Sequence, residues 1–250
     1  MTTTGPVTTG PINGSLLIHG GGNVNQEFID RFIALAGGPG ANIVYIPTAE
    51  KQSKITAGHG EISEFHGLNF TVLHTRNRRI ANQAKFVNSI QNATGVFIEG
   101  GRQPRLAKPY LDTRTQDELE NLLERGGVIA GTSAGATIQG SFMVRNQGPP
   151  NYNPSIMVDP NHPTEGFGFI KNIAIDQHIS ERSRENDLVT VVNAHPELLG
   201  VGIDEDTAIH VERNQFTVIG EGKVYVHDST RPWYTLINGA RFDMASRQTF

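Results

Sequence analysis

The chain has 250 residues, a formal net charge of -4 and a sequence pI of about 6.1. Hydrophobic residues make up 37% and charged residues 18%, which fits a globular protein able to bury a large core and speaks against a nucleic-acid-binding face or a basic membrane-surface segment. There is no cysteine, so disulfides, thiolate metal sites and a cysteine nucleophile are excluded, and no apolar run reaches the roughly 18 residues of a membrane span.

Residues 1–14, rich in Thr, Gly and Pro, read as a flexible lead-in that lacks the basic and apolar regions of a signal peptide. A cytoplasmic protein with a single domain over 15–250 is expected. Ser15–His19 is a short apolar run closed by Gly20-Gly21-Gly22, the pattern of a buried parallel strand entering a tight turn. Residues 26–36 place Phe28, Ile29, Phe32, Ile33 and Leu35 at near-helical spacing, and Gly37-Gly38-Pro39-Gly40 stops them. Residues 42–47 form a second strand, 57–68 a weaker helix, 70–74 a third strand and 81–91 a helix. Residues 95–99 form a fourth strand ending in Gly100-Gly101, and 115–125 a helix with Leu119, Leu122 and Leu123 facing inward.

This alternation predicts an α/β fold with a mainly parallel sheet flanked by helices on both faces. The glycine turns after the strands should share the edge where such sheets bind ligands. Beyond residue 140 the order changes. Residues 145–168 read as a long loop near the site. A strand over 171–177, a helix over 183–193 and short strands over 201–203 and 208–212 follow. Residues 216–219 and 223–226 read as a hairpin or C-terminal β-meander around Gly220-Glu221-Gly222.

The most informative stretch is Gly127 to Gly140, G-V-I-A-G-T-S-A-G-A-T-I-Q-G. An apolar strand runs into small residues around Ser133, and a helix can follow. A nucleophile elbow needs such neighbours because its backbone is strained and passes close to adjacent elements. It also sets the serine at a helix N-terminus, whose N–H groups can receive an oxyanion. Among nine histidines, His178 stands out because it follows the strand 171–177 and so lies on the same edge. An acid to orient it is available as Glu205 in Gly202-Ile203-Asp204-Glu205-Asp206-Thr207, although three adjacent acids also suit a solvated turn. His19-Gly20-Gly21-Gly22 resembles the oxyanion motif of some lipases, which leaves an α/β-hydrolase esterase open. A binding protein holding an acidic ligand on Arg182 and Arg184 is a further alternative.

G-T-S-A-G-A, with F-I-E-G-G-R-Q upstream and I-D-Q-H-x-x-x-R-x-R and G-I-D-E-D-T-A downstream, resembles the cyanophycinase family of serine peptidases over about residues 15–227. The resemblance implies a class I glutamine-amidotransferase-like fold, a homodimer, no metal or cofactor, and release of β-Asp-Arg dipeptides from cyanophycin, an aspartate polymer with arginine on each side-chain carboxyl. It implies Ser133 as nucleophile, His178 as base and Glu205 as its acid partner. Ala134 and the Gly100-Gly101 turn would supply the oxyanion hole, and Gln103, Asp176, Gln177, Arg182 and Arg184 the substrate pocket. The sequence departs from the family at Arg102, where an acidic residue is usual, and near Asp187, where a further arginine is expected. A different β-aspartyl or ordinary peptide substrate therefore stays open.

Overall fold

Each strand presents alternate side chains to opposite faces of its sheet, so a fully apolar strand must be covered on both sides. In β1 (Ser15–His19), Leu16 and Ile18 join one apolar cluster and Leu17 another. β2 (Asn42–Ile46), β4 (Gly95–Ile98) and β5 (Val128–Thr132) divide the same way, with Val44, Val96 and Ile129 on the first side and Ile43, Phe97 and Val128 on the second. The computed structural model that shows this describes residues 7–51, 65, 67–145 and 163–250. On the second side lies α1 (Gln26–Leu35), capped by the Asn25 side chain and burying Phe28, Ile29 and Phe32. On the first side lie α3 (Ala84–Gln91) and α5 (Arg114–Glu124), with Ile90, Leu119, Leu122 and Leu123 inward. Burying each such side chain contributes about 1.5–3 kcal/mol.

The strands divide between two sheets. The larger runs β14-β13-β10-β9-β1-β5-β4-β2-β3 and is parallel from β1 through β3 (Asn69–Val72). Its other half is antiparallel: β9 (Thr207–Glu212), β10 (Gln215–Gly220), β13 (Arg241–Asp243) and β14 (Gln248–Thr249). The smaller runs β12-β11-β8-β7-β6, with β6 (Gly140–Met143), β7 (Ile170–Gln177) and β8 (Leu199–Ile203) parallel. β11 (Val224–Asp228) and β12 (Arg231–Leu236) are antiparallel to them. Ile173, Ile175, Val201 and Val226 of the smaller sheet share one cluster with Leu16, Ile18 and Ile129 of the larger. α7 (Asp187–Ala194) buries Leu188 and Val191 in a cluster with Ala174 of β7.

Several elements differ from expectation. The hairpin expected around Gly220-Glu221-Gly222 does not form: β10 pairs with β9 and β13, whereas β11 crosses to the smaller sheet and pairs with β8 and β12. The helix expected over 183–193 starts only at Asp187, because Ser183 closes a 3-10 turn (Ser180–Arg182) in a left-handed conformation. The helix expected over 81–91 is two pieces, α2 (Arg78–Ala81), which Asn77 caps, and α3. α4 (Pro104–Tyr110) was hidden by its two prolines; Pro104 starts it and the burial of Leu106 and Tyr110 overrides Pro109. Most of the helix expected over 57–68 and most of the loop expected over 145–168 lie outside the described residues. Within the expected lead-in, Thr8 is buried and its hydroxyl donates to Asn172 O. Among the described residues no helix is long and apolar enough to cross a membrane.

Candidate active site

The carboxyl ends of the parallel strands of both sheets meet at one place. The larger sheet brings the Gly20-Gly21-Gly22 turn after β1, Glu99-Gly100 after β4 and Ser133 after β5. The smaller brings His178 after β7 and Glu205 after β8. Backbone bonds join the two sets: His178 N–H donates to Gly20 O at 3.1 Å and Asp206 N–H to Gly21 O at 2.9 Å.

Ser133 has φ 51° and ψ -109°, a strained conformation for a side chain with a Cβ. Its surroundings explain the small residues beside it. A Cβ on Gly131 would lie 2.2 Å from Gly135 O, and one on Gly135 would lie 2.1 Å from Ile98 O. The helix that follows, α6 (Ala134–Thr137), is a single turn. Its leading N–H groups have no intrahelical acceptor.

Ser133 Oγ lies 2.8 Å from His178 Nε2, and His178 Nδ1 lies 2.5 Å from Glu205 Oε1. An ionised carboxylate only accepts, so Nδ1 is the donor to Glu205 and Nε2 is left to accept from the serine. Burial, then the Arg182 guanidinium, hold the His178 pKa below its ordinary 6.5, and the bond and charge of Glu205 oppose this. The three acids after β8 separate by role. Buried Asp204 accepts from Ser180 N and Lys223 N, Glu205 meets His178, and Asp206 accepts from Asn23 N. Asp204 pins the loops on either side of Glu205, a function that three adjacent acids in a sequence do not reveal.

A cavity of about 350 Å³ opens beside Ser133 and His178, and Gly21, Gly22, Val24, Tyr45, Glu50, Glu99, Gly100 and Thr132 complete its described lining. The sequence motifs do not predict Tyr45, Glu50 and Glu99 here, although Glu99 lies within F-I-E-G-G-R-Q. Gly100 lies against the serine, and its N–H donates to Glu99 Oε1 at 2.7 Å. At Gly101 a Cβ would lie 2.2 Å from Ala49 O, so this glycine admits the loop that carries Glu50. None of Gln103, Asp176, Gln177, Arg182 and Arg184 is among the described lining of this cavity. Gln103 is buried and Arg182 exposed. Asp176 is fully buried against Arg145, and Arg184 donates to the Gln177 side chain and carbonyl. Among the described residues no group of three or more His, Asp and Glu is placed to hold a metal ion.

The model of peptidase family S51 matches residues 16–219. The chain belongs to peptidase family S51. Within this S51 peptidase the match takes in Ser133, His178 and Glu205. It is 33% identical over 215 residues to a cyanophycinase of a Nostoc species, covering 84% of this chain and 71% of that one. It is 30% identical over 132 residues to a peptidase E of Actinobacillus pleuropneumoniae, covering 52% of this chain and 56% of that one. The crystal structure of a peptidase from an acI-B1 actinobacterium has the same fold, with a TM-score of 0.70, 22% identity and coverage of 94% and 98% of the two chains. These results set aside the α/β-hydrolase alternative. In this S51 peptidase the H-G-G-G turn seats the histidine: Gly21 N–H is taken by His19 Nδ1, and a Cβ on Gly21 would lie 2.1 Å from His178 Cε1. Gly21→Ala, at φ 106°, must therefore push the imidazole off Ser133. Its kcat/KM is expected to fall about 10²-fold, the scale of a 1 Å misplacement, and steady-state kinetics on any cleaved peptide will show it.

Proposed function

We propose that this S51 peptidase is a serine peptidase that degrades cyanophycin or a closely related β-aspartyl-arginine polymer through an acyl-enzyme. The observation that carries the chemistry is the hydrogen-bonded chain from Ser133 through His178 to Glu205. His178 Nε2 takes the serine proton as Oγ attacks the scissile carbonyl, and Glu205 stabilises the imidazolium that forms. The oxyanion develops against Ala134 N–H and the Gly100-Gly101 turn, where one donor is worth about 10²–10³ in rate. His178 then protonates the leaving amine and deprotonates the water that releases the acyl group.

The similarity to cyanophycinases supports the substrate, and so does the wall of Glu50 and Glu99, which suits a guanidinium. A different β-aspartyl or ordinary peptide is the second reading, favoured by the exposed Arg102 at a position where an acid is expected. Incubation with insoluble cyanophycin followed by mass spectrometry decides between them: soluble β-Asp-Arg supports the first, and intact polymer with cleavage of other aspartyl peptides the second. Arg182, which is exposed, is proposed to act at the outer substrate units, Gln103, Gln177 and Arg184 to position the groups that touch substrate, and the protein to work as a cytoplasmic homodimer.

The neutral imidazole is the competent base. Because burial and the Arg182 charge lower its pKa, the acid limb of kcat/KM is expected at lower pH than an ordinary histidine would give. Arg182→Gln removes a cation that opposes protonation, so the acid limb should move to higher pH. A pH–rate profile with the same limb in both proteins would contradict the electrostatic account.

A further inference from the structure

The bond between Glu99 and Gly100 places a carboxylate on a backbone donor beside the nucleophile. Glu99 Oε1 accepts from Gly100 N at 2.7 Å, and Glu99 Oε2 accepts from the Tyr45 hydroxyl at 2.9 Å. Gly100 packs on Ser133: a Cβ there would lie 3.2 Å from Ser133 Cβ and 3.8 Å from its Oγ. In the proposed mechanism this turn must receive an oxyanion. A donor engaged by a fixed anion cannot serve a developing one, and the two negative charges repel each other at close range.

The other groups show what would relieve the conflict. Tyr45 is 3% exposed, stacks on Phe97 and donates to Glu99, with Glu50 Oε1 a weaker acceptor at 3.5 Å. Burial and its carboxylate neighbours push the Tyr45 pKa well above the ordinary tyrosine range, so it stays a donor. Glu50 lies on the same wall, its loop held through the Glu50 carbonyl by Arg76 and Arg105. A guanidinium entering this cavity meets two carboxylates and forms charge-assisted, bidentate bonds that outcompete one from a neutral amide.

We propose that Glu99 is a positioning residue that couples recognition of a cationic substrate side chain to assembly of the oxyanion hole: its carboxylate occupies the Gly100 N–H until a substrate guanidinium draws it away. The inference rests on the serine-peptidase reading and adds to it a reason for selectivity expressed in kcat. An uncharged substrate can bind but leaves the donor occupied.

The test uses two peptides, a trimer of aspartate carrying arginine on each side chain and the same trimer carrying citrulline, which replaces the guanidinium by a neutral urea. The wild type is expected to prefer arginine by about 10-fold or more in kcat, within the range that one oxyanion donor contributes. Glu99→Ala frees the N–H permanently, so kcat on the citrulline peptide should rise and the preference largely vanish. Glu99→Gln keeps an acceptor that no cation can draw off, so kcat should be low on both peptides. An arginine preference in kcat unchanged in Glu99→Ala overturns the proposal. A second readout does not need catalysis. In ¹⁵N-labelled Ser133→Ala protein, argininamide should shift the Gly100 amide upfield, saturably, toward its position in the Ser133→Ala/Glu99→Ala protein. A Gly100 resonance that argininamide leaves in place overturns the proposal. If the wild type cleaves neither peptide it is the substrate reading that fails, and the resonance alone then decides the role of Glu99.

Discussion

Replacing Ser133 by alanine is expected to lower kcat/KM by about 10⁴-fold or more, equivalent to about 5.5 kcal/mol of transition-state stabilisation, while the fold survives. The hydroxyl is the atom that His178 addresses at 2.8 Å, and an alanine methyl offers that nitrogen nothing. Folding should not change, because the backbone at this position is held by its own bonds: Ser133 N–H donates to His19 O, and Ser133 O accepts from Ala136 and Thr137. Alanine keeps a Cβ and therefore keeps the strain of φ 51°. Glycine does not, so Ser133→Gly should be equally inactive yet more stable than wild type by about 1 kcal/mol or more, within the range such strained residues store. Steady-state kinetics with urea unfolding of all three proteins separates the two effects. Activity within about tenfold of wild type in Ser133→Ala would sink the proposed mechanism.

That serine was legible in the sequence because the elbow writes its sterics into adjacent residues. Gly131 and Gly135 lie within two positions of Ser133, and each faces a backbone oxygen that leaves no room for a Cβ. His178 was legible for a related reason, since a polar residue just after an apolar strand must lie on the sheet edge. The division of labour among Asp204, Glu205 and Asp206 was not legible. It depends on what packs against each carboxylate, and those groups come from Ser180, Lys223, His178 and Asn23. The second sheet was hidden for the same reason. β10 and β11 carry equally apolar alternation, Phe216 and Val218 in one and Val224 and Val226 in the other, and periodicity does not record which neighbour a strand pairs with. The glycines between them read as a hairpin. In the structure Gly220, at φ 107°, passes so close to Asp206 O that a Cβ would lie 2.3 Å from it, and the chain turns there into the other sheet.

Asp176→Ala is expected to cost about 3–5 kcal/mol of folding stability, the scale for breaking a buried ion pair by removing one partner. The sequence places Asp176 two residues before His178 and so suggests a hand on the substrate. The structure encloses it completely, with Arg145 Nε at 3.1 Å from Oδ1, Arg145 Nη2 at 3.0 Å from Oδ2, and Arg184 Nη1 at 3.9 Å. Asp187 also pairs with Arg145. Deleting Asp176 takes from the Arg145 and Arg184 guanidinium groups the fully buried carboxylate that both of them face. Asp187 is thus an internal counter-ion near the position where an arginine is expected. The Arg184 pKa, lowered by burial to about 10, shows how poorly water supports that cation. Arg145→Ala should be comparably destabilising, and the double variant should lose less than the sum of the two, because each single change strands the other's charge. Urea unfolding of the four proteins measures this coupling directly. Asp176→Ala with wild-type stability and a raised KM would instead return Asp176 to the substrate. If stability falls as expected, kcat should fall with it, because Asp176 lies in the strand that ends at Gln177 and delivers His178 to the serine.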